Sequence, residues 1–288
     1  MSLKSGEAVA KACIELSLDF EHLILKDEEF GTTLDSLKKF DFVFIALHGT
    51  FGEDGTIQRI LEENNIPFNG SNSKASKLCF DKAAVKILAK ENDILTPDFF
   101  QIKEIDNIIE NSNFSIFQDY VVKPNQQGSS LGIFRKKDLI NDFEKKLKSI
   151  FELDTQILIE EFIHGREVTV GILNGKTLPI IEIKPKREFY DFLSKYSKGS
   201  SEYFCPAEIE SNIEDKLIKN SLKIHQLTGC DVYSRVDFRI DRNGNPWFLE
   251  INTLPGLTET SLFPLASKKA GINFEKMILN LINLSNEK

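Results

Sequence analysis

The segment Ser234–Asn252 constrains the fold most strongly, because an Asn-Gly pair at 243–244 separates two strand-like runs, Ser234-Arg-Val-Asp-Phe-Arg-Ile240 and Pro246-Trp-Phe-Leu-Glu-Ile-Asn252. Asn and Gly both tolerate positive φ, so the pair predicts a type I′ hairpin. With Asn243 and Gly244 as the turn, Asp237 falls opposite Glu250 and Arg235 opposite Asn252, and the period of two gathers all four on one face. Opposed carboxylates destabilise a strand pair unless a cation lies between them. Hard oxygen donors of this kind suit Mg²⁺, which completes its octahedron with phosphate oxygens and water. A solvated polar face on an edge hairpin fits the same residues about as well, and Pro246 is compatible with an edge. A second pair, Asn174-Gly175, repeats the hairpin signal, so the last third should be an antiparallel sheet. Helices near 212–228 and 263–284 should flank it, with a Lys-, Ser- and Tyr-rich loop over 185–204 of a length that is usually functional or disordered.

The first third is patterned differently. Val9, Ala12, Cys13 and Leu16 have helical spacing, and the solid apolar run 42–47, ending at His48-Gly49, reads as a buried parallel strand. Helical segments at 55–64 and 81–92 and a strand-like Ile66-Pro67-Phe68 complete an α/β pattern. The middle third carries strand-like runs at 120–123, 131–134 and 156–163 and a charged helix near 138–148. A length of 288 residues predicts about two compact units. The net charge of −8 argues against a nucleic-acid partner, so an anionic substrate must be held by local cations. Four dispersed cysteines suggest neither a zinc knuckle nor a disulfide framework and fit a reducing cytoplasm. Charges at Lys4, Glu7, Lys11, Glu15 and Asp19, with no apolar run near the ~18 residues of a membrane span, predict neither an export signal nor membrane anchoring.

Two further clusters carry possible chemistry. The segment from Val121 to Gly132 runs from a strand into a polar loop with Gly128, Ser129 and Ser130, whose backbone N–H groups could approach phosphates while Lys123 adds a point charge. A Gly/Ser hairpin loop with an incidental lysine accounts for it as well. Glu160 and Glu161 end an apolar strand and could accept hydrogen bonds from a ligand. His48 stands at a strand end, which in open α/β sheets is the ligand-facing edge.

Taken in chain order, Lys82 in Asp-Lys, Lys123 in Val-Lys-Pro, Gly-Ser-Ser at 128–130, Glu160, Glu167, Arg235 with Asp237, and Glu250-Ile-Asn-Thr-Leu-Pro-Gly256 resemble the ATP-grasp ligases. More narrowly, Ala46-Leu-His-Gly49, Gly52-Glu-Asp-Gly55, Phe189-Tyr-Asp191, Lys195-Tyr196, Tyr203-Phe-Cys-Pro206 and Asn252-Thr-Leu-Pro-Gly-Leu-Thr258 resemble the D-alanine:D-alanine ligase family of bacterial cell-wall synthesis. The resemblance runs from residue 2 to the C-terminus.

It implies an ATP-grasp fold, mixed α/β and α+β, in three parts: an N-terminal pre-ATP-grasp α/β domain over 1–70, a central subdomain over 71–155 and a C-terminal subdomain over 156–288. It implies ATP-dependent joining of two D-alanines through an acylphosphate for peptidoglycan synthesis, in a cytoplasmic homodimer with two Mg²⁺ or Mn²⁺. By the same resemblance Lys82 and Lys123 neutralise ATP phosphates, and the loop with Gly128, Ser129 and Ser130 closes over them. Glu160, Glu161, Phe162 and Ile163 hold the adenine and Glu167 the ribose. Asp237, Glu250 and Asn252 bind metal, while Arg235 and the Gly256 N–H stabilise the oxyanion. His48 lies beside the first D-alanine, Ser261 and Leu262 receive the second, and Tyr196 bonds Ser129 to close a lid. Relatives begin with a strand and a glycine-rich turn carrying a glutamate for the first substrate, and this chain is expected to lack them because it opens at the segment that follows, Ser2-Leu-Lys-Ser-Gly6. Phe192 and Leu193 also replace the Tyr and Glu common in the lid motif. The rival readings are a ligase taking D-serine or D-lactate as second substrate, with Tyr196 arguing against lactate, and a nucleotide-binding protein without ligase activity.

Overall fold

In the computed structural model the described residues are 2–25, 30–103, 116–128, 131–140, 142–185 and 201–287. Helices α1 (Ser2–Glu15) and α2 (Phe30–Leu37) precede the apolar run. Among the described residues that run makes one parallel bridge, Val43 to Phe68, in place of the expected regular strand. The reason lies in Asn69, whose side chain accepts from the Ile45 N–H (2.5 Å) and donates to the Ile45 carbonyl (3.3 Å), so a side-chain amide occupies the place of a neighbouring backbone. Helices α3 (Thr56–Glu63), α4 (Ser73–Phe80) and α5 (Lys82–Glu91) follow. The last two start where the side chains of Asn72 and Asp81 accept from the N–H groups of Ala75 and Ala84, satisfying donors that a helix leaves unpaired.

Strands β1 (Phe99–Ile102), β2 (Tyr120–Pro124), β3 (Phe134–Arg135) and β4 (Ile157–Glu161) form an antiparallel sheet in the order β1-β4-β2-β3. Asp142, at φ 65°, interrupts the charged segment expected as one helix, leaving a 3-10 turn at Lys136–Leu139 and helix α6 (Phe143–Phe151). Leu147 and Ile150 of α6 pack into the core of this sheet.

The second sheet contains β5 (Arg166–Leu173), β6 (Lys176–Thr177), β7 (Ile181–Pro185) and β8 (Ser201–Phe204), then, after helix α7 (Ser211–Leu227), β9 (Tyr233–Ile240) and β10 (Pro246–Asn252). Its order is β10-β9-β5-β7-β8, with β6 paired to β5 and every pairing antiparallel. Asn174 and Gly175 make the expected two-residue turn, both at positive φ, with Leu173 opposite Lys176. The other Asn-Gly does not. There Asp241 and Asn245 close a three-residue turn with Gly244 at φ 77°, shifting the register by one residue, and a bulge at Leu249 shifts it back. The two offsets cancel, so Asp237 does lie opposite Glu250 and Arg235 opposite Asn252.

The helix expected over 263–284 is two, α8 (Leu262–Lys269) and α9 (Phe274–Asn286). Gly271 at φ 81° ends the first, and Asn273 caps the second by accepting from the Lys276 N–H at 3.0 Å. Leu61 of α3, Tyr233 of β9, Phe263 of α8 and Leu281 of α9 share one apolar core.

Candidate active site

A cleft of about 470 Å³ opens between the two sheets. Lys123, Glu160 and Glu161 face it from the first sheet, Phe162 and Ile163 from the connector, and Glu167, Arg235, Asp237, Glu250 and Asn252 from the second sheet. The 253–262 segment adds Gly256, Ser261 and Leu262, and His48 reaches it from the N-terminal part. Lys82 and Gly128 line a small adjoining cavity that shares Glu250 and Asn252 with the cleft. Each expected site residue among the described ones is thus brought to one place. Ser129, Ser130 and Tyr196 lie outside the described residues, as do Phe189 to Lys195 of the lid motif.

On the β9–β10 face the guanidinium of Arg235 grips both oxygens of Asp237, Nε to Oδ1 at 2.9 Å and Nη2 to Oδ2 at 2.8 Å. Thr169 and Asn252 also donate to Asp237, at 2.5 and 3.3 Å. Lys82, the first residue of α5, holds its Nζ 3.7 Å from Glu250 and donates to the Gln127 carbonyl at 2.6 Å. The opposed carboxylates are therefore already met by protein cations, and charge alone does not demand a metal. Among the described residues no three His, Cys, Asp or Glu side chains gather. The donor set is two carboxylates and an amide oxygen, which fits Mg²⁺ because that ion keeps most of its octahedron for phosphate and water.

Behind this face lies a buried charge cluster. Lys123 and Glu160 are diagonal neighbours across β2 and β4, with Nζ and Oε1 2.9 Å apart. Lys86 of α5, fully buried, places its Nζ 2.6 Å from the other Glu160 oxygen and 2.6 Å from the Thr96 hydroxyl. Burial alone would push the Glu160 carboxyl up, but Lys123 and Lys86 outweigh it and hold it below its usual range. The same burial pulls Lys86 down to about 8 against the attraction of Glu160.

At the opposite end the imidazole of His48 hydrogen-bonds Ser5 Oγ at 2.9 Å and holds its Nδ1 3.9 Å from Glu53, while the backbone N–H of His48 donates to Ser2 Oγ at 3.1 Å. The fully buried Ser5 also accepts from the Leu257 N–H at 3.4 Å, tying α1 to the loop that carries Gly256. Sequence reasoning missed Ser5, Lys86, Arg239 and Leu249. Lys86 carried a signal, because it shares the inner helical face of Ala83 and Val85 with apolar neighbours. Leu249 carried none, because its place at the cleft comes from the bulge.

Two family models match the chain, one described as the D-ala D-ala ligase N-terminus over residues 2–71 and one as the D-ala D-ala ligase C-terminus over residues 82–283. The D-alanine--D-alanine ligase of Methylacidiphilum infernorum is 41% identical over 99% of this chain and 90% of its own length. That of Aquifex aeolicus is 40% identical over 98% and 94%. Among solved structures, the Bacillus anthracis enzyme complexed with ATP superposes with a TM-score of 0.85 at 31% identity, covering 99% of this chain and 92% of that one. A D-Ala:D-Ser ligase from Enterococcus faecalis gives 0.79 at 28% identity, over 98% and 95%.

Proposed function

The chain belongs to the D-alanine:D-alanine ligase family, and from that premise we propose how the residues of its cleft divide the work. The reaction is ATP-dependent ligation of two D-alanines for peptidoglycan synthesis, with ATP and Mg²⁺ as cofactors. The first D-alanine's carboxylate attacks the γ-phosphorus and ADP leaves. The second D-alanine's amine then attacks the acylphosphate carbonyl, loses a proton and displaces phosphate.

Asp237, Glu250 and Asn252 hold Mg²⁺ or Mn²⁺, two ions in all, which supply positive charge to the phosphate oxygens. Lys82 and Lys123 neutralise the phosphates, with Gly128 and the adjoining Ser129 and Ser130 completing the cover. Glu160, Glu161, Phe162 and Ile163 receive the adenine and Glu167 the ribose. Arg235 and the Gly256 N–H stand where a tetrahedral oxyanion would need donors. His48, held by Ser5, lies at the first D-alanine, and Ser261 and Leu262 at the carboxylate of the second. For Tyr196, which lies outside the described residues, the role the family motif implies is to help exclude water, which would hydrolyse an acylphosphate.

The observation that carries this reading is the register of β9 and β10, which sets Arg235, Asp237, Glu250 and Asn252 on one face in the same cleft as Lys123 and Glu160. We propose the three-part division with its second joint at the connector 162–165 and not near residue 155, because β4 is paired on both sides within the first sheet. Among the described residues no helix is long and apolar enough to cross a membrane; we propose a cytoplasmic homodimer, checked by sedimentation. The direct test is phosphate release with D-alanine, D-serine and D-lactate as competing second substrates. ATP turnover that is independent of D-alanine, or a mixed product in place of D-alanyl-D-alanine, would refute it.

A further inference from the structure

The connector between the sheets, Phe162 to Gly165, has little secondary structure of its own, yet it carries two residues of the cleft. The Phe162 N–H donates to the Asp119 carbonyl at 3.0 Å on the side of the first sheet, and on the side of the second one side chain of β9 holds the connector. Each nitrogen of the Arg239 guanidinium donates to a different acceptor: Nε to the Ile163 carbonyl at 2.6 Å, Nη2 to the Gly165 carbonyl at 2.8 Å and Nη1 to Glu167 Oε2 at 2.9 Å. Its Cζ also stands 4.7 Å from the centre of the Phe162 ring, over which Arg135 lies at 3.9 Å. Arg135, in β3 of the first sheet, is in turn paired with Asp119, the residue just before β2. The connector is therefore fastened to both sheets, and Arg239 makes its attachment to the second.

We propose that Arg239 is the positioning residue of the nucleoside end: it holds Glu167 and the connector as one rigid piece, and so sets how strongly the enzyme prefers a ribonucleoside triphosphate to one without ribose hydroxyls. The proposal rests on Glu167 as the ribose acceptor. A lysine cannot substitute, because an ammonium on a flexible stem lacks the planar fork that reaches three acceptors at once. The glycine in the connector is part of the device. Gly165 has φ 151°, and a Cβ there would come within 1.9 Å of the Ile240 carbonyl, so the chain can pass close enough to β9 for the fork to reach only with glycine at that point.

The test compares kcat/KM for ATP with that for 2′,3′-dideoxy-ATP in the full chain and in Arg239→Met, Arg239→Lys, Glu167→Gln and the double variant Arg239→Met/Glu167→Gln. Arg239→Met should reduce the preference for ATP by about tenfold, the scale of a hydrogen bond to a charged group. Arg239→Lys should fall between, and the double variant should discriminate no worse than Glu167→Gln alone. If Arg239→Met does not fold, Arg239→Lys, which keeps the charge, carries the test with the same ratio. A ratio unchanged in the Arg239 variants but lost in Glu167→Gln overturns the role of Arg239 and leaves the ribose assignment standing. A ratio unchanged in Glu167→Gln overturns the assignment itself, and the inference with it.

Discussion

Replacing Lys86 by methionine removes a fully buried ammonium while keeping most of its volume, and the consequence for stability depends on pH with a sign the structure fixes. Lys86 faces Glu160, Lys123 and Lys90, and its ordinary value of 10.5 falls to about 8 in the folded protein. Below pH 8 both the folded and the unfolded chain carry the proton, and the folded state bears the full cost of burying it. Between about 8 and 10.5 the unfolded chain holds the proton and the folded one does not, so stability rises with pH across that window. Integrating from pH 7 to pH 10 gives a gain on the order of 2–3 kcal/mol from this one group. Lys86→Met lacks the group, so the stability difference between parent and variant should move in the parent's favour by that amount. Urea unfolding of both proteins at unit pH steps, followed by the fluorescence of the single tryptophan, Trp247, and by circular dichroism, measures it. Parallel pH curves for the two proteins would refute the placement of a charged Lys86 in this cluster.

Glu250→Gln should weaken binding of ATP in the presence of Mg²⁺ by at least about tenfold, as loss of even an outer metal contact does, and should change binding in excess chelator much less; calorimetry under both conditions decides it. Ser5→Ala removes the hydroxyl shared by His48 and the Leu257 N–H, and at about 1 kcal/mol should raise KM for D-alanine roughly fivefold while leaving nucleotide affinity unchanged. Gly165→Ala forces a Cβ into the Ile240 carbonyl and should lower the melting temperature by about 5 °C or more, which a thermal scan would show.

The β9–β10 face was legible because side-chain alternation survives small errors in the turn. Taking Asn243-Gly244 as a two-residue turn misplaced the loop, yet the bulge at Leu249 restored the pairing of Asp237 with Glu250. The α3 and α5 helices were legible from periodicity, and the lysines and glutamates of the cleft from the family motifs. What escaped depends on partners remote in sequence. The apolar run 42–47 looks like any buried strand, but Asn69 takes up the backbone groups of Ile45. Arg239 reads as an ordinary outward-facing strand residue until the connector folds under it.

The hydrogen bond from the Leu257 N–H to Ser5 joins residues 252 positions apart, and Gly70 is bonded in the same manner to Ser285, 215 positions away. A ribosome adding about 5–20 residues per second therefore leaves Ser5 and His48 waiting roughly 10–50 s for the loop that completes their pocket. During synthesis the N-terminal segment must stay soluble without its apolar partners Phe263 and Leu281, and ligase activity can first appear only when the last helices leave the exit tunnel. Nascent chains of this protein should therefore depend on chaperone shelter more than a protein whose site is built from neighbouring segments.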